Sequence, residues 1–221
     1  MKHTTYIVLE GSEGTGKSTQ TKLLVKTLRD KGFSVLETKE PGTDLAPLTM
    51  KLRGIMLDAQ YEDQMTKEAR EMISQAIRSI HINKVIFPAL GQYDFIVQDR
   101  GILSGTAYGV ACDNPLDYIT YLSEQAIGEE GHKKGFNIHN LYDHVVIFNG
   151  NLKKGLDRAK SAKQEFAQGD AMENRGVSFL EKVNQNFHSQ KSMFQKVSEI
   201  DTESKSIEEI QAELLKVLDL E

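Results

Sequence analysis

Short apolar segments alternate along the chain with longer segments in which apolar residues recur every three or four positions. The apolar segments predict β-strands at Tyr6–Leu9, Ser34–Leu36, Asp94–Val97, His144–Phe148 and Lys196–Ile200. Residues 145–148 are apolar without interruption, as in strands that are buried on both faces of a parallel sheet. Such an alternation is typical of βαβ units. We therefore predict an α/β fold with three layers, a parallel five-stranded sheet with helices on both faces.

The amphipathic segments predict helices between the strands. The first begins at Lys17 and ends near Gly32, a glycine in the usual helix-stop position. The other predicted helices are Asp63–Ala89, Pro115–Ile127, Leu152–Lys163, Val177–Gln195 and Ile207–Leu218. Two polar segments, Gly128–Asn140 and Ser161–Arg175, are predicted to be loops. Composition alone favours an ordinary exposed loop over a mobile flap for the second. No internal repeat or linker is visible, so residues 1–221 are predicted to form a single domain.

Composition and charge narrow the function classes. The chain has 221 residues, of which 39% are hydrophobic, enough for one substantial core. Its net charge of −5 argues against a nucleic-acid binder, which usually has a basic surplus. The lone cysteine, Cys112, excludes an intramolecular disulfide and a cysteine-based zinc cluster. With no apolar segment resembling a signal peptide or membrane span, we expect a cytoplasmic protein with small-molecule partners and neither nucleic acid nor membrane.

The segment after the first predicted strand, Gly11–Ser18, satisfies G-x-x-x-x-G-K-[ST]. Its glycines let successive backbone N–H groups converge on a phosphate, and the helix that starts at Lys17 points its positive end there. Lys17 can reach the β- and γ-phosphates, and the Ser18 hydroxyl can hold Mg²⁺. The predicted ATP-binding residues are Gly11, Ser12, Glu13, Gly14, Thr15, Gly16, Lys17, Ser18 and Thr19. This loop predicts a P-loop NTPase fold, but GTPase switches, motors, transport ATPases and small-molecule kinases all share it.

A second pair of residues, Asp99 and Arg100, ends the third predicted strand. A carboxylate at the carboxyl end of a parallel strand lies beside the phosphate loop and can hold Mg²⁺ directly or through water. The planar guanidinium of Arg100 suits a phosphate dianion. Alone, the pair fits a surface ion pair equally well. Together with the loop it predicts a functional site, with Ser18 and Asp99 as the metal ligands.

Several ordered segments, taken together, resemble the thymidylate kinases of the bacterial type. The resemblance covers most of the chain. Its segments are Gly16-Lys17-Ser18-Thr19-Gln20, Glu40-Pro41-Gly42-Thr43, Arg78 followed by Pro88-Ala89-Leu90, and residues 99–108, which match Asp-Arg-x-x-x-Ser-x-x-Ala-Tyr. The resemblance implies transfer of the γ-phosphoryl group of ATP to dTMP with Mg²⁺, for dNTP supply to DNA synthesis, by a homodimer.

The resemblance also implies residue roles at the acceptor nucleotide. Glu13 would accept a hydrogen bond from the 3′-hydroxyl, while Arg100 and Arg53 would hold the acceptor phosphate. Arg78 would donate to a carbonyl of the pyrimidine, and Tyr108 would pack beneath the deoxyribose and exclude a 2′-hydroxyl. Taken alone, Arg78 could equally be a solvated helix residue and Tyr108 a core residue. The full predicted acceptor set is Glu13, Glu40, Arg53, Arg78, Asp99, Arg100, Ser104, Gly105 and Tyr108.

The resemblance gives the second polar segment a role, because bacterial-type members supply transition-state cations from a flap. We therefore predict a mobile lid at about 155–176. Arg158 fits the family position best, and Lys160, Lys163 and Arg175 are further candidates that the sequence does not rank. The predicted catalytic residues are Lys17, Arg100 and Arg158.

Three departures from the family pattern concern the acceptor. Ser74 replaces an aromatic residue that stacks on thymine, Gly109 replaces a polar residue after Tyr108, and the Glu-Pro-Gly segment lacks one glycine. Loss of a stacking ring removes on the order of 1 kcal/mol of base contact. The hypothesis is therefore dTMP as acceptor, with tolerance for dUMP or a 5-modified pyrimidine. The alternatives are an adenylate, guanylate or deoxynucleoside kinase, a regulatory nucleotide-binding protein, and a catalytically inactive binding module.

Overall fold

The computed structural model of the chain describes residues 3–155 and 170–221. Its strands in those residues are Thr5–Gly11 (β1), Val35–Lys39 (β2), Phe95–Asp99 (β3), His144–Asn149 (β4) and Val197–Asp201 (β5). The strands form one sheet in the order β2-β3-β1-β4-β5, and every neighbouring pair is parallel. Each overlaps a predicted strand, so the predicted parallel five-stranded sheet is confirmed.

Helices connect the strands. Those of ten residues or more in the described part of the chain are Lys17–Asp30 (α1), Pro47–Leu57 (α2), Lys67–His81 (α3), Ile102–Ala111 (α4), Leu116–Lys133 (α5), Val177–Gln190 (α6) and Ile207–Val217 (α7). Shorter helical turns are Ala59–Tyr61, Ile82–Ile86, Phe87–Ala89, Glu173–Arg175 and Lys191–Met193. Residues 152–155 are also helical.

Two apolar clusters lie on opposite faces of the sheet, because successive side chains of a strand point to opposite sides. Tyr6 and Val8 of β1 belong to the cluster that contains residues of α2–α6. Ile7 and Leu9 belong to the cluster that contains residues of α1 and α7. The predicted three-layer α/β arrangement is therefore confirmed.

The predicted helix Asp63–Ala89 differs from the structure at both ends. α3 begins only at Lys67, because the Thr66 hydroxyl accepts a hydrogen bond from the amide of Ala69 (3.1 Å) and caps the helix there. Beyond α3, the chain continues through a π-helical turn at Ile82–Ile86 to the short helix that contains Pro88. The chain is therefore helical up to the predicted end at Ala89, but it changes from α-helix to π-helix and back.

Two further predictions need correction. The predicted loop Gly128–Asn140 is wrong for its first part, because α5 continues to Lys133 through a kink at Gly128 with φ 77°. The predicted helix Val177–Gln195 ends at Gln190, and a 3₁₀ turn follows it. Helices α2 and α4 were not predicted. Most of α4 is buried, so it shows no amphipathic period.

Three predictions fall largely on residues 156–169, which lie outside the described residues. They are the helix Leu152–Lys163, the polar segment Ser161–Arg175 and the lid at about 155–176. Of the last two, the structure describes Gly155 at the start of the lid, Asp170, which forms a bridge with Asp58 after α2, and the residues that follow Asp170. In residues 3–155 and 170–221, every helix is too short or too polar to cross a membrane.

Candidate active site

The predicted phosphate loop connects the end of β1 to the first turn of α1. Gly14 in this loop has φ 66°, and a Cβ on it would lie 2.1 Å from the carbonyl oxygen of Gly155. Only glycine fits there, because the contact is between two backbones. Within the described residues, no side chain caps the first turn of α1. Its free N–H groups and positive helix end are therefore available to an anion.

The ammonium group of Lys17 lies inside this loop. Its Nζ donates to the carbonyl oxygen of Ser12 (2.5 Å) and to Oγ1 of Thr15 (3.3 Å). Burial, and then the positive charge of Arg100, lower the pKa of Lys17 to about 8. A phosphate beside the ammonium favours its charged form, so the loop is arranged to gain a charge interaction when an anion binds.

Ser18 and Asp99 meet beside the loop because β1 and β3 are neighbours, with Leu9 opposite Asp99. The Ser18 hydroxyl donates to Oδ2 of Asp99 at 2.5 Å. Among the described residues, Oδ1 of Asp99 is buried and has no hydrogen-bond partner. Mg²⁺ prefers oxygen ligands, so this unpartnered carboxylate oxygen beside a hydroxyl fits the predicted metal site.

Arg100 follows β3 in a left-handed conformation, with φ 64°. Its guanidinium donates to Oε1 of Glu13 (2.8 Å), the carbonyl oxygen of Gly11 (2.9 Å) and Oγ of Ser104 (3.1 Å). It also lies 5.4 Å from the centre of the Tyr108 ring. Burial opposes the charge, but Glu13, Tyr108, Asp99 and Glu10 together outweigh burial and raise the pKa of Arg100. The result is a fixed planar cation beside the phosphate loop.

Two buried polar residues that the sequence reasoning missed hold the turn after β3. The carboxylate of Glu10 accepts hydrogen bonds from the amides of Gly101 (2.9 Å) and Ser104 (3.2 Å), and from the Ser104 hydroxyl. Burial raises the pKa of Glu10. Gln98 donates to the carbonyl oxygen of Arg100 at 2.7 Å. The available signal was a polar residue near the end of each of two apolar strands.

Arg78 lies deep in the site with only 2% of its surface exposed, which excludes a solvated helix residue. Its Nε donates to Oε2 of Glu40 (3.1 Å), and its Nη1 donates to Oε1 of Gln75 (2.9 Å). Nδ1 of His81 donates to the other oxygen of Glu40 at 2.9 Å. Burial raises the pKa of Glu40, but Arg78 and His81 outweigh it and hold the pKa below its ordinary value. Arg78 is therefore oriented by a buried ion pair.

Two glycines of α4 leave space for polar side chains of α3. A Cβ on Gly105 would lie 2.2 Å from Nη2 of Arg78, and a Cβ on Gly109 would lie 2.7 Å from Oε2 of Glu71. Between these positions, Gln75 donates to Oε1 of Glu71 at 2.7 Å. Burial raises the pKa of Glu71. A larger residue at either glycine would have to displace a charged group of α3.

A cavity of about 610 Å³ joins these features. Its phosphate-loop end comprises Glu13, Lys17, Ser18, Asp99 and Arg100, and its α3–α4 end comprises Glu71, Ser74, Arg78, Gly105 and Gly109. Further predicted site residues that line the cavity are Gly14, Gly16, Thr19, Glu40, Arg53, Ser104 and Tyr108. Three predicted loop residues are not part of the lining, namely Gly11, Ser12 and Thr15. The structure therefore brings both predicted substrate sites to one cavity.

Tyr108 belongs both to the cavity wall and to the apolar packing. Its ring packs edge-on against Phe179, with ring centres 6.1 Å apart. The same ring faces Arg100 on the cavity side. The two interpretations of Tyr108, sugar platform and core residue, are therefore compatible.

Of the candidate lid cations, Arg175 is the one that falls in the described residues. Arg175 donates to Oε1 of Glu62 at 2.7 Å and lies outside the cavity lining. Arg158, Lys160 and Lys163 fall outside the described residues. Their roles, and the catalytic role of Arg158 in particular, stay predictions.

Charged residues of α3 that line the cavity were also missed. They include Lys67, Arg70 and Glu71. The signal was present in the sequence: residues 67, 71, 74 and 78 recur every three or four positions, so they lie on one side of a helix. Such a polar stripe is equally typical of a solvated helix face.

Comparison with known proteins identifies the family. The family model described as "Thymidylate kinase" matches residues 9–214. The thymidylate kinase of Halothermothrix orenii is 33% identical over 184 residues, which cover 83% of this chain and 82% of that protein. The chain belongs to the thymidylate kinase family. The predicted resemblance is confirmed, and membership makes this protein a nucleoside monophosphate kinase.

Two other relatives extend the likeness to almost the whole chain. The thymidylate kinase of Caldicellulosiruptor saccharolyticus is 31% identical over 215 residues, covering 97% of this family member and 95% of that protein. The crystal structure of thymidylate kinase from Ehrlichia chaffeensis superimposes with a TM-score of 0.69 at 21% identity, covering 98% of this chain and 99% of that one. The structural likeness confirms the predicted P-loop fold.

Proposed function

We propose that this protein transfers the γ-phosphoryl group of ATP to dTMP in a Mg²⁺-dependent reaction. The observation that carries the proposal is the cavity that joins the phosphate loop and Arg100 to Arg78. Family membership supports the same reaction. A slow regulatory switch needs no second nucleotide site, so the α3–α4 end of the cavity favours a kinase.

The phosphate-loop end binds the donor. Lys17 and the N–H groups at the start of α1 neutralise and orient the phosphates of ATP. Ser18 and Asp99 would hold Mg²⁺, which supplies positive charge to the phosphate oxygens of ATP. Their fit rests on the hydroxyl–carboxylate contact and the unpartnered Oδ1 of Asp99 among the described residues.

The acceptor nucleotide binds along the rest of the cavity. Arg100 and Arg53 hold its phosphate, and Tyr108 packs against the deoxyribose. Arg78 donates to a carbonyl of the base, and Glu40 keeps the guanidinium in place for that contact. Glu13 fixes Arg100 through their ion pair and accepts a hydrogen bond from the 3′-hydroxyl.

The reaction needs alignment more than proton transfer. An oxygen of the dTMP phosphate attacks the γ-phosphorus, and the bond from that phosphorus to the β,γ-bridging oxygen breaks, giving dTDP and ADP. The attacking oxygen is already anionic, so no strong general base is required. Lys17 at the phosphates of ATP and Arg100 at the acceptor phosphate are fixed cations, and their charge stabilises the transition state.

We also propose three further properties of this protein. Tolerance for dUMP or a 5-modified pyrimidine follows from Ser74, a cavity residue whose side chain has no ring to stack on the base. A cytoplasmic location fits the single buried Cys112. A homodimer follows from the family resemblance.

The test is ADP release from Mg·ATP with dTMP, dUMP, dCMP, dAMP, dGMP, UMP and thymidine as acceptors. We expect dTMP to be turned over best and UMP poorly, because Tyr108 leaves no room for a 2′-hydroxyl. Thymidine turned over in place of dTMP would indicate a deoxynucleoside kinase. A purine as best acceptor, or no transfer to any acceptor, would contradict the proposal. Turnover of dUMP more than about a thousandfold below that of dTMP would contradict the tolerance.

A further inference from the structure

A buried carboxyl group in the α3–α4 end lacks a full set of hydrogen-bond partners. Glu71 is only 4% exposed and lines the cavity. Its Oε1 accepts a hydrogen bond from Gln75, whereas its Oε2, within the described residues, accepts none. A carboxylate oxygen that lies in the cavity wall without a protein partner is available to a hydrogen-bond donor of a ligand.

The hydrogen bonds around Glu71 determine whether the cavity wall offers a hydrogen-bond donor or an acceptor at this position. The amide oxygen of Gln75 accepts from Arg78, so the amide nitrogen is turned to Glu71. The same nitrogen donates to the hydroxyl of Ser123 at 3.0 Å, which holds the amide in this orientation. Arg78 therefore presents donors to the cavity, and Glu71 presents an acceptor.

The two groups are spaced along the wall that α4 forms. Nη2 of Arg78 lies at the position where Gly105 lacks a side chain, and Oε2 of Glu71 at the position where Gly109 lacks one. Residues four apart on a helix are about 6 Å from each other. A donor and an acceptor at that spacing suit two edges of one planar ring.

We propose that Glu71 is a specificity-determining residue of the acceptor site, whose carboxylate accepts a hydrogen bond from the base of the acceptor nucleotide. The preferred base then carries a hydrogen-bond donor as well as the carbonyl that Arg78 contacts. This inference rests on the proposed function, because it places the base at the α3–α4 end. The donor is the ring N3–H, a 4-amino group or the hydroxyl of a 5-hydroxymethyl group, and the experiment separates these sources.

The test compares acceptors that differ in one donor. The pairs are dTMP with N3-methyl-dTMP, dCMP with N4,N4-dimethyl-dCMP, and 5-hydroxymethyl-dUMP with dTMP. The variants are Glu71→Met, which keeps the length of the side chain and removes both oxygens, and Glu71→Gln, which keeps one acceptor oxygen. Glu68→Gln is the matched control, because Glu68 is an exposed residue of the same helix. The readouts are kcat/KM from ADP release and Kd from calorimetry.

We expect the wild-type protein to prefer the donor-bearing member of at least one pair by about tenfold or more. Glu71→Met should reduce that preference to within about threefold of unity, Glu71→Gln should retain part of it, and the KM for ATP should stay unchanged. Glu68→Gln should keep the full preference.

If Glu71 had only a structural role, its substitution would lower kcat/KM for both acceptors of a pair by the same factor. The ratio between the two acceptors would then stay unchanged, which would overturn the inference. A wild-type protein without preference in any pair would overturn it too, whether or not the variants fold. The proposed function fails separately: if the protein binds these nucleotides but transfers no phosphoryl group, the ratios of Kd still decide the role of Glu71.

Discussion

The two ends of the cavity are built in different ways. At the phosphate-loop end, one contiguous segment between β1 and α1 supplies most of the groups, and Asp99 and Arg100 are consecutive residues at the end of β3. At the α3–α4 end, each functional side chain depends on a residue of another element: Arg78 on Glu40, and Glu71 on the space at Gly109. The first end is made by local backbone geometry and the second by long-range fit.

This difference bears on how each end tolerates change. A contiguous loop either keeps its backbone geometry or loses phosphate binding, so its chemistry is held constant. A wall of paired side chains can exchange one pair for another and alter which base it recognises. Ser74 and Gly109, the two departures from the family pattern at this end, fit that view.

The largest effect should come from breaking the phosphate-loop end alone. Lys17→Ala removes the ammonium from the loop and should lower kcat/KM for phosphoryl transfer by a hundredfold to about a thousandfold. The Kd for dTMP should change little, because the α3–α4 end is intact. ADP release and calorimetry check the two quantities. Lys22→Ala, at an exposed position of α1, is the control. Near-normal transfer by Lys17→Ala would refute the mechanism.

Breaking the α3–α4 end should affect stability as well as binding. Glu40→Ala leaves Arg78 buried without its carboxylate and should lower the free energy of unfolding by about 3 kcal/mol. Urea unfolding measures this change. Asp30→Ala removes the partner of Lys26 from an exposed ion pair and should change the same quantity by less than about 0.5 kcal/mol. Equal effects of the two substitutions would show that the buried network contributes no more than a surface pair.

The pH dependence of ATP binding sharpens the comparison, because it should appear only at the phosphate-loop end. The pKa of Lys17 in the free protein is lowered to about 8, so the ammonium loses its proton as the pH rises through that value. ATP favours the charged form, and its Kd should be about tenfold higher at pH 9 than at pH 7. Lys17→Arg keeps its charge over this range and should remove the dependence. A Kd that rises equally in both proteins would exclude Lys17 as the cause.

The smallest effect should come from adding a ring to the α3–α4 end. Ser74→Phe offers a stacking surface to the base and should lower the Kd for dTMP by about fivefold, or roughly 1 kcal/mol. The Kd for ATP should stay the same. Ala76→Phe, at an exposed position of α3, is the control. Weaker binding of dTMP to Ser74→Phe would show that the base does not lie against this position.

The sequence predicts the phosphate-loop end of the cavity more completely than the α3–α4 end, because the first depends on local patterns and the second on contacts between distant elements. The strands and the phosphate loop follow from residues adjacent in the chain, so local patterns are enough to predict Lys17, Ser18 and Asp99 as site residues. Helix α4 escaped prediction because it is mostly buried, and burial erases the amphipathic period. Glu71 escaped prediction because a polar stripe on a helix is equally typical of a solvated face, and its position facing the cavity depends on a glycine of another helix.

The contact between Gly14 and Gly155 extends the phosphate loop beyond its contiguous motif. A Cβ on Gly155 would lie 2.3 Å from the carbonyl oxygen of Glu13, so the exclusion acts in both directions. Because both partners are backbone, no side-chain rearrangement relieves it. In a saturation-mutagenesis library, Gly155 should therefore share the intolerance of Gly14, although the two are far apart in the chain. In engineering this protein, Gly155 should therefore be kept unchanged together with the glycines of the phosphate loop.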